Sequence, residues 1–463
     1  MTKVTIEQLT RLEGNAKVTI DVEGGVLKDL QLNIITGPRF FEHLLLNKPA
    51  EEAPRISERI CGICYANHHL VSVKAVEDAW GVTPPPVANV LRRTLNAASF
   101  VTSHALHLAF LALPDLMDLP ARNFIGIMEA NPDLANMAIR LHEYGNKVVK
   151  EIGGRVVQVI TAVPGGMTRG LTGDSRYRLL RESRAILSDA QNVVEAIFSI
   201  FESREKDPSE YAGLETSYMG LNNGGNYEIY DGPVMVKNTK GENIVEFKPQ
   251  DYRKYFEETS SEHSFTKLPY LKSKGFPDGV VRVGPLARTN VIDGYKWPLA
   301  TRYQEWYESI YPKFCHDTGA YNLARTVEFA AALEEVIEGL SDLSITSDNT
   351  RVPVKAKAGV GVGIVEAPRG ILLHNYATDE KGIITNVNII APTTFNHPNI
   401  ENNLRNWAEN NAEKISNEAT RDESLWSLEK IVRAYDPCLS CSVHMVELKL
   451  KIDGVEIPVR RLH

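Results

Sequence analysis

Five cysteines among 463 residues are too few and too widely spaced for a disulfide scaffold, so a reducing compartment, the cytoplasm, is expected. No uninterrupted apolar run reaches the roughly 18 residues that span a bilayer, and the opening MTKVTIEQLT has no signal-peptide core. A soluble chain without a direct membrane span follows. Basic residues number 51 against 59 acidic ones, a net charge of −8. That balance argues against a nucleic-acid-binding protein, which normally needs a basic face. There is no Gly-rich phosphate loop, no internal repeat and no low-complexity linker.

Against that sparse background, four of the five cysteines stand in two Cys-x-x-Cys pairs near opposite ends of the chain. Cys61 and Cys64 are followed by His68, Cys438 and Cys441 by His444. A zinc ribbon places its pairs some 15 to 20 residues apart, whereas sulfur coordination by itself suits zinc and iron–sulfur centres equally. If the pairs meet, one four-thiolate pocket ties the two ends of the chain into a single unit spanning residues 1–463. The spacing of Cys61, Cys64 and His68 predicts one side of a helix, with Gly62 permitting close backbone approach. Cys315 reads as a buried structural thiol.

Alternation on both sides of Gly24-Gly25 predicts a β-hairpin over 16–34. Apolar spacing of three and four predicts helices over 87–113, 134–152, 176–201, 297–341, 398–416 and 424–434. Residues 204–290 read as irregular or short-strand insertion. From 352 to 397, β-branched runs between Gly and Pro turns suggest short strands whose loops carry Arg369 and Thr393. The fold class expected is mainly α with small β pieces (α+β).

The flanks of the cysteines are more specific than their spacing. Arg59-Ile60-Cys61-Gly62-Ile63-Cys64 with His68, and Asp436-Pro437-Cys438-Leu439-Ser440-Cys441 with His444, resemble the signatures of the large, catalytic subunit of nickel–iron hydrogenases. Arg11-Leu12-Glu13-Gly14, Glu42, Glu366-Ala367-Pro368-Arg369-Gly370 and Pro392-Thr393-Thr394-Phe395-Asn396 resemble further blocks of that family, in its order.

The resemblance implies a central helical bundle carrying the metal site and the reversible oxidation of dihydrogen to protons and electrons. Nickel would be held by Cys61, Cys64, Cys438 and Cys441, with Cys64 and Cys441 bridging to an iron that carries carbon monoxide and cyanide. Thr393, Pro392, Leu372 and Pro368 would surround those diatomic ligands. Arg369 would face the open side of the site, steadied by Asp436, and Cys438 would accept the proton as Glu13 passes it outward. Asp436 alternatively only caps the Pro437 turn. Glu42, the Ile389 carbonyl and His444 would hold a second metal, magnesium or in some members iron.

With no further cysteines for iron–sulfur clusters, electrons must leave through an iron–sulfur small subunit, then through further electron-transfer subunits bearing flavin or iron–sulfur groups. Asn15 stands where the family often carries a histidine, a change that touches only a contact beside the site. The Ser103–His107 segment, with His68-His69, departs from the respiratory members and looks more like the cytoplasmic multi-subunit group, which serves soluble acceptors. Rival readings are a metal-free structural relative, a zinc-stapled binding module and a hydrogen-sensing regulatory subunit. Residues 445–463 read as a hairpin, either permanent or a C-terminal extension removed by a maturation protease once nickel-insertion proteins have loaded the site.

Overall fold

The computed structural model describes residues 2–117, 119, 121–203, 211–443, 450–452 and 455–457. Four long helices form its centre: Pro86–Leu106, Pro132–Gly153, Gly173–Ser203 and Ala320–Ser341. Each packs on two of the others in a closed ring, because each buries the apolar stripe legible in its sequence. The first continues as a wider π turn at His107–Ala112 and a last turn at Leu113–Leu116. Ser, Thr and His interrupt its apolar sequence, yet by length and composition Pro86–Leu116 could cross a bilayer. Of its most apolar window, 78% is buried inside the fold, so the bundle consumes that surface.

Beside the bundle stands an antiparallel sheet of Gly359–Ala367, Gly370–Thr378 and Ile384–Ile390, packed on helix Tyr65–Trp80. Gly359, Gly361 and Gly363 alternate onto one face of their strand. A Cβ there would lie 2.0 Å from Ala79 O, 2.1 Å from Ala79 N and 2.1 Å from Val71 O respectively. These glycines are therefore not turn residues; they let a helix backbone press against the sheet.

Ala16–Glu23 and Val26–Ile34 form the expected hairpin, and Thr2–Ile6 adds a third strand too short to stand out by alternation. The stretch 297–341 is not continuous but splits into Pro298–Ile310 and Ala320–Ser341. The helix expected to begin at 398 begins at Pro392, the first helical position where a missing N–H costs nothing, and Pro398 lies inside it. Thr393 thus sits in a helical first turn, not on a strand loop. From Ser217 onward, the supposed insertion contains a four-stranded sheet and the hairpin Phe256–Ser260/Lys267–Leu271. Residues 204–210 lie outside the described residues. Buried apolar side chains from Val4 to Val443 form one contiguous cluster, with a smaller one beneath the four-stranded sheet.

Candidate metal centre

Cys61 follows the 3-10 turn Glu58–Ile60, and Cys64 is the N-cap of helix Tyr65–Trp80. The pair therefore lies on the turn before the helix, not on a helical face; only His68 is helical. The N–H groups of Ile63 and Cys64 donate to Cys61 Sγ at 3.2 and 3.4 Å. That turn aims the sulfur, while a Cβ at Gly62 would meet nothing within 4 Å, so no close approach there is needed. At the other end, Cys438 is the N-cap of the short helix Leu439–Ser442. Glu13 bridges to Cys438 in parallel fashion, and the Leu439 N–H donates to the Glu13 carbonyl at 3.1 Å. Gly14, at φ +84°, lies where a Cβ would stand 2.8 Å from Leu439 Cβ, so the N-terminal loop can lie flat on the C-terminal cysteine segment.

The four sulfurs are buried and lie within 4.8 Å of one another. Cys64 and Cys441 are 3.2 Å apart, Cys61 and Cys438 3.3 Å. Hydrogen bonds from Cys438 and Cys441 hold the Cys61 thiol well below its usual range, whereas burial pushes Cys438 and Cys441 well up. Four thiolates crowded into one buried pocket require cations among them. Such a soft, convergent donor set fits nickel, iron or zinc. Cys315 is buried apart from this group, its sulfur accepting the Asp317 N–H at 3.3 Å and its thiol pushed up to about 11 by burial.

Around the sulfurs the polar groups are aimed inward. Glu13 Oε2 lies 3.1 Å from Cys438 Sγ and 3.0 Å from the Ser440 N–H, and the Ser440 hydroxyl donates to Oε1 at 2.5 Å. Arg369 donates Nε to the Asp436 carbonyl at 2.8 Å and Nη2 to Asp436 Oδ1 at 3.0 Å, leaving Nη1 buried without a partner among the described residues. Burial opposes both charges, yet Asp436 holds Arg369 well above its usual value and Arg369 holds Asp436 below its own. Asp436 also adopts φ +54° in capping helix Glu418–Tyr435. The Thr393 hydroxyl accepts the Cys438 N–H at 2.8 Å and keeps its own proton to donate. Pro368, Leu372 and Pro392 are buried.

Glu42 and Ile389 also meet: the Ile389 N–H donates to Glu42 Oε1 at 2.7 Å. Lys267 Nζ lies 3.7 Å from the same oxygen. His444 lies outside the described residues.

Of the supporting residues, Arg288 and Arg325 carried no sequence signal, and His107 is marked only by the Ser103–His107 segment. Arg288, wholly buried, pairs with Glu328 and Glu366 and donates to the carbonyls of Ala367 at 3.1 Å and Pro368 at 3.0 Å, which sets the loop presenting Arg369. His107 Nε2 and the Arg325 guanidinium satisfy the last carbonyls of helix Glu418–Tyr435, at Arg433 and Ala434. Only the tertiary fold assembles them. Arg11 donates to Asp115 at 2.5 Å, and Arg433 shares that carboxylate, so the first motif's arginine is an anchor.

The family model described as nickel-dependent hydrogenase matches residues 39–197 and 218–444, and a model described as HoxL-like matches 3–35. One subunit of the vhu F420-non-reducing hydrogenase of Methanocaldococcus jannaschii is 41% identical over 415 residues, covering 88% of this chain and 99% of its own. The beta subunit of the NAD-reducing hydrogenase HoxS of Cupriavidus necator is 33% identical, covering 96% and 94%. A crystal structure of an NAD+-reducing [NiFe]-hydrogenase in its H2-reduced state superposes with a TM-score of 0.91 at 31% identity, covering 96% of this chain and 100% of that one. The chain belongs to the nickel-dependent hydrogenase family, as a large, catalytic subunit that oxidises dihydrogen at a nickel–iron site.

Proposed function

We propose that Cys61, Cys64, Cys438 and Cys441 hold the nickel, with Cys64 and Cys441 shared by an iron bearing carbon monoxide and cyanide. The centre would supply an open coordination position at which the H–H bond is split heterolytically. Cys438 takes the proton, and Glu13 relays it outward to Ser440 and solvent, a task suited to a half-buried carboxyl able to accept and release it. The unpartnered Arg369 Nη1 and the Thr393 hydroxyl are the donors available to the diatomic ligands. Asp436 fixes the guanidinium plane, so that the free Nη1 keeps its direction. Pro368, Leu372 and Pro392 wall the iron side with apolar surface.

The carrying observation is the convergence of four sulfurs from both chain ends with a carboxylate 3.1 Å from one of them. Purified active protein should contain nickel and iron in near-equal amounts, show infrared bands of metal-bound carbonyl and cyanide, and reduce a viologen dye with hydrogen. Zinc in place of nickel would overturn the assignment.

At the second site, Glu42 and Ile389 offer the hard oxygen donors magnesium prefers, with His444 as the third ligand. A cation there would have to draw on the Ile389 carbonyl and share Glu42 with Lys267. Electrons would pass to an iron–sulfur small subunit in a cytoplasmic complex and onward to flavin or iron–sulfur subunits serving a soluble acceptor. This fits relatives named as subunits of F420-non-reducing and NAD-reducing hydrogenases. Residues 445–463, in which Leu450–Ile452 pairs with Val455–Ile457, would be removed after His444 by a maturation protease once nickel-insertion proteins have acted. Intact-mass measurement of active, nickel-loaded protein should show a chain ending at His444; retention of 445–463 would refute this step.

A further inference from the structure

Behind Cys441 a line of hydrogen bonds runs into the core. Cys441 Sγ lies 3.5 Å from His68 Nε2, and His68 Nδ1 lies 3.1 Å from His374 Nε2. His374 Nδ1 is 2.6 Å from the Tyr376 hydroxyl, which is 3.0 Å from Ser72 Oγ. All five residues are buried. His68 and Ser72 are one turn apart on helix Tyr65–Trp80, and His374 and Tyr376 share a face of strand Gly370–Thr378. The glycines at 359, 361 and 363 bring helix and sheet close enough for these side chains to meet.

A neutral imidazole has one N–H and one lone pair, so the direction of any one bond sets all the rest. A sulfur bound to metal is a thiolate and can only accept. With both imidazoles neutral, His68 must then carry its proton on Nε2, leaving Nδ1 to accept. His374 must likewise be protonated on Nε2, leaving its Nδ1 to accept from the Tyr376 hydroxyl. The Tyr376 oxygen in turn accepts from Ser72. The opposite polarity would set the His68 Nε2 lone pair against a sulfur anion. Burial pushes the Tyr376 phenol up, so it remains a proton donor.

We propose that His374 and Tyr376 are positioning residues for the metal centre: they lock His68 in the tautomer that donates Nε2–H to Cys441. Neither touches the sulfurs; they act through His68. Hydrogen bonds to ligand sulfurs withdraw charge from the metal and tune its potential, so this chain fixes the donor strength of one thiolate. The inference rests on Cys441 being a metal ligand, as proposed above.

The test uses nickel-loaded, 15N-histidine-labelled protein, with the tautomers of His68 and His374 read by NMR and the carbonyl and cyanide bands by infrared. In the wild type both histidines should carry the proton on Nε2. Tyr376→Phe removes the donor to His374 Nδ1, so a fraction of His374 and His68 together should move their protons to Nδ1. In that fraction Cys441 loses its hydrogen bond, donates more charge to iron, and the bands should shift together to lower wavenumber. Ser72→Ala, which leaves Tyr376 able to donate, should leave the tautomers unchanged. Nδ1–H histidines in the wild type, or unaltered tautomers in Tyr376→Phe even with lowered thermal stability, would overturn the proposal; the wild-type reading decides the matter if that variant does not fold. Missing carbonyl and cyanide bands in the wild type would instead contradict the diatomic-ligand assignment, with the tautomers still deciding the chain's polarity.

Discussion

Replacing Glu13 by Gln separates proton transfer from architecture. The carboxylate accepts from the Ser440 N–H at 3.0 Å and the Ser440 hydroxyl at 2.5 Å while facing Cys438 Sγ at 3.1 Å. The amide keeps one acceptor oxygen and the same shape, so the loss of a hydrogen bond should cost about 1 kcal/mol of stability. It cannot carry a proton, however, and a positioned acid–base group contributes roughly 10²–10⁴ in rate. At 1.36 kcal/mol per factor of ten, that is about 3–5 kcal/mol of barrier, several times the structural cost. Viologen reduction and hydrogen/deuterium exchange should fall by that factor with nickel content unchanged, and Glu13→Asp should recover part of the rate. A fully nickel-loaded Glu13→Gln protein turning over within about twofold of the wild type would refute the relay, because no group of that catalytic worth would have been lost.

Arg369→Lys keeps the charge but loses the planar fork that binds Asp436 while freeing Nη1, so activity should drop at least about tenfold, roughly 1.4 kcal/mol; full activity would make Arg369 merely structural. Gly361→Ala places a methyl 2.1 Å from Ala79 N and 2.2 Å from Ala75 O; the overpacking should cost about 1–3 kcal/mol, seen as a lower thermal midpoint, and an unchanged midpoint would show that the helix can retreat freely. Burial holds His104 at about 4 and His107 at about 3, below the unfolded value of about 6.5. The unfolded chain therefore binds these protons first, so stability is full above about pH 7 and falls as pH drops through 6.5 toward the folded values. Denaturant midpoints at about pH 7.5 and 5 should differ in that sense, with His107→Asn less sensitive; an equal pH response in that variant would remove His107 from the account.

Which residues could ligate metal was legible in the chain, because ligand chemistry is a property of residue type and the flanking blocks are specific. The hairpin at 16–34 and the bundle helices were legible too, since local periodicity reports which face is buried. Boundaries were less so: Pro392 and Pro398 read alike in sequence, and only the packed helix shows which one starts it. The glycines of strand Gly359–Ala367 resembled turn signals because a sequence does not state what backbone will lie beside them.

By itself, the sequence named the candidate donor set: four cysteines, Glu13, Arg369, Asp436 and Thr393, each in a block that resembles one family. Tertiary structure decided the direction in which each donor acts. It placed Cys61 and Cys64 on a turn instead of a helical face, turned the Ile389 N–H toward Glu42, and raised Arg288, unmarked in sequence, and His107, marked only as part of a departing segment, to supports of the Arg369 loop and the Asp436 cap. The physical reason is that residue type fixes what an atom can bond, whereas its partner is fixed by contacts between segments hundreds of residues apart, set by packing that no local pattern records.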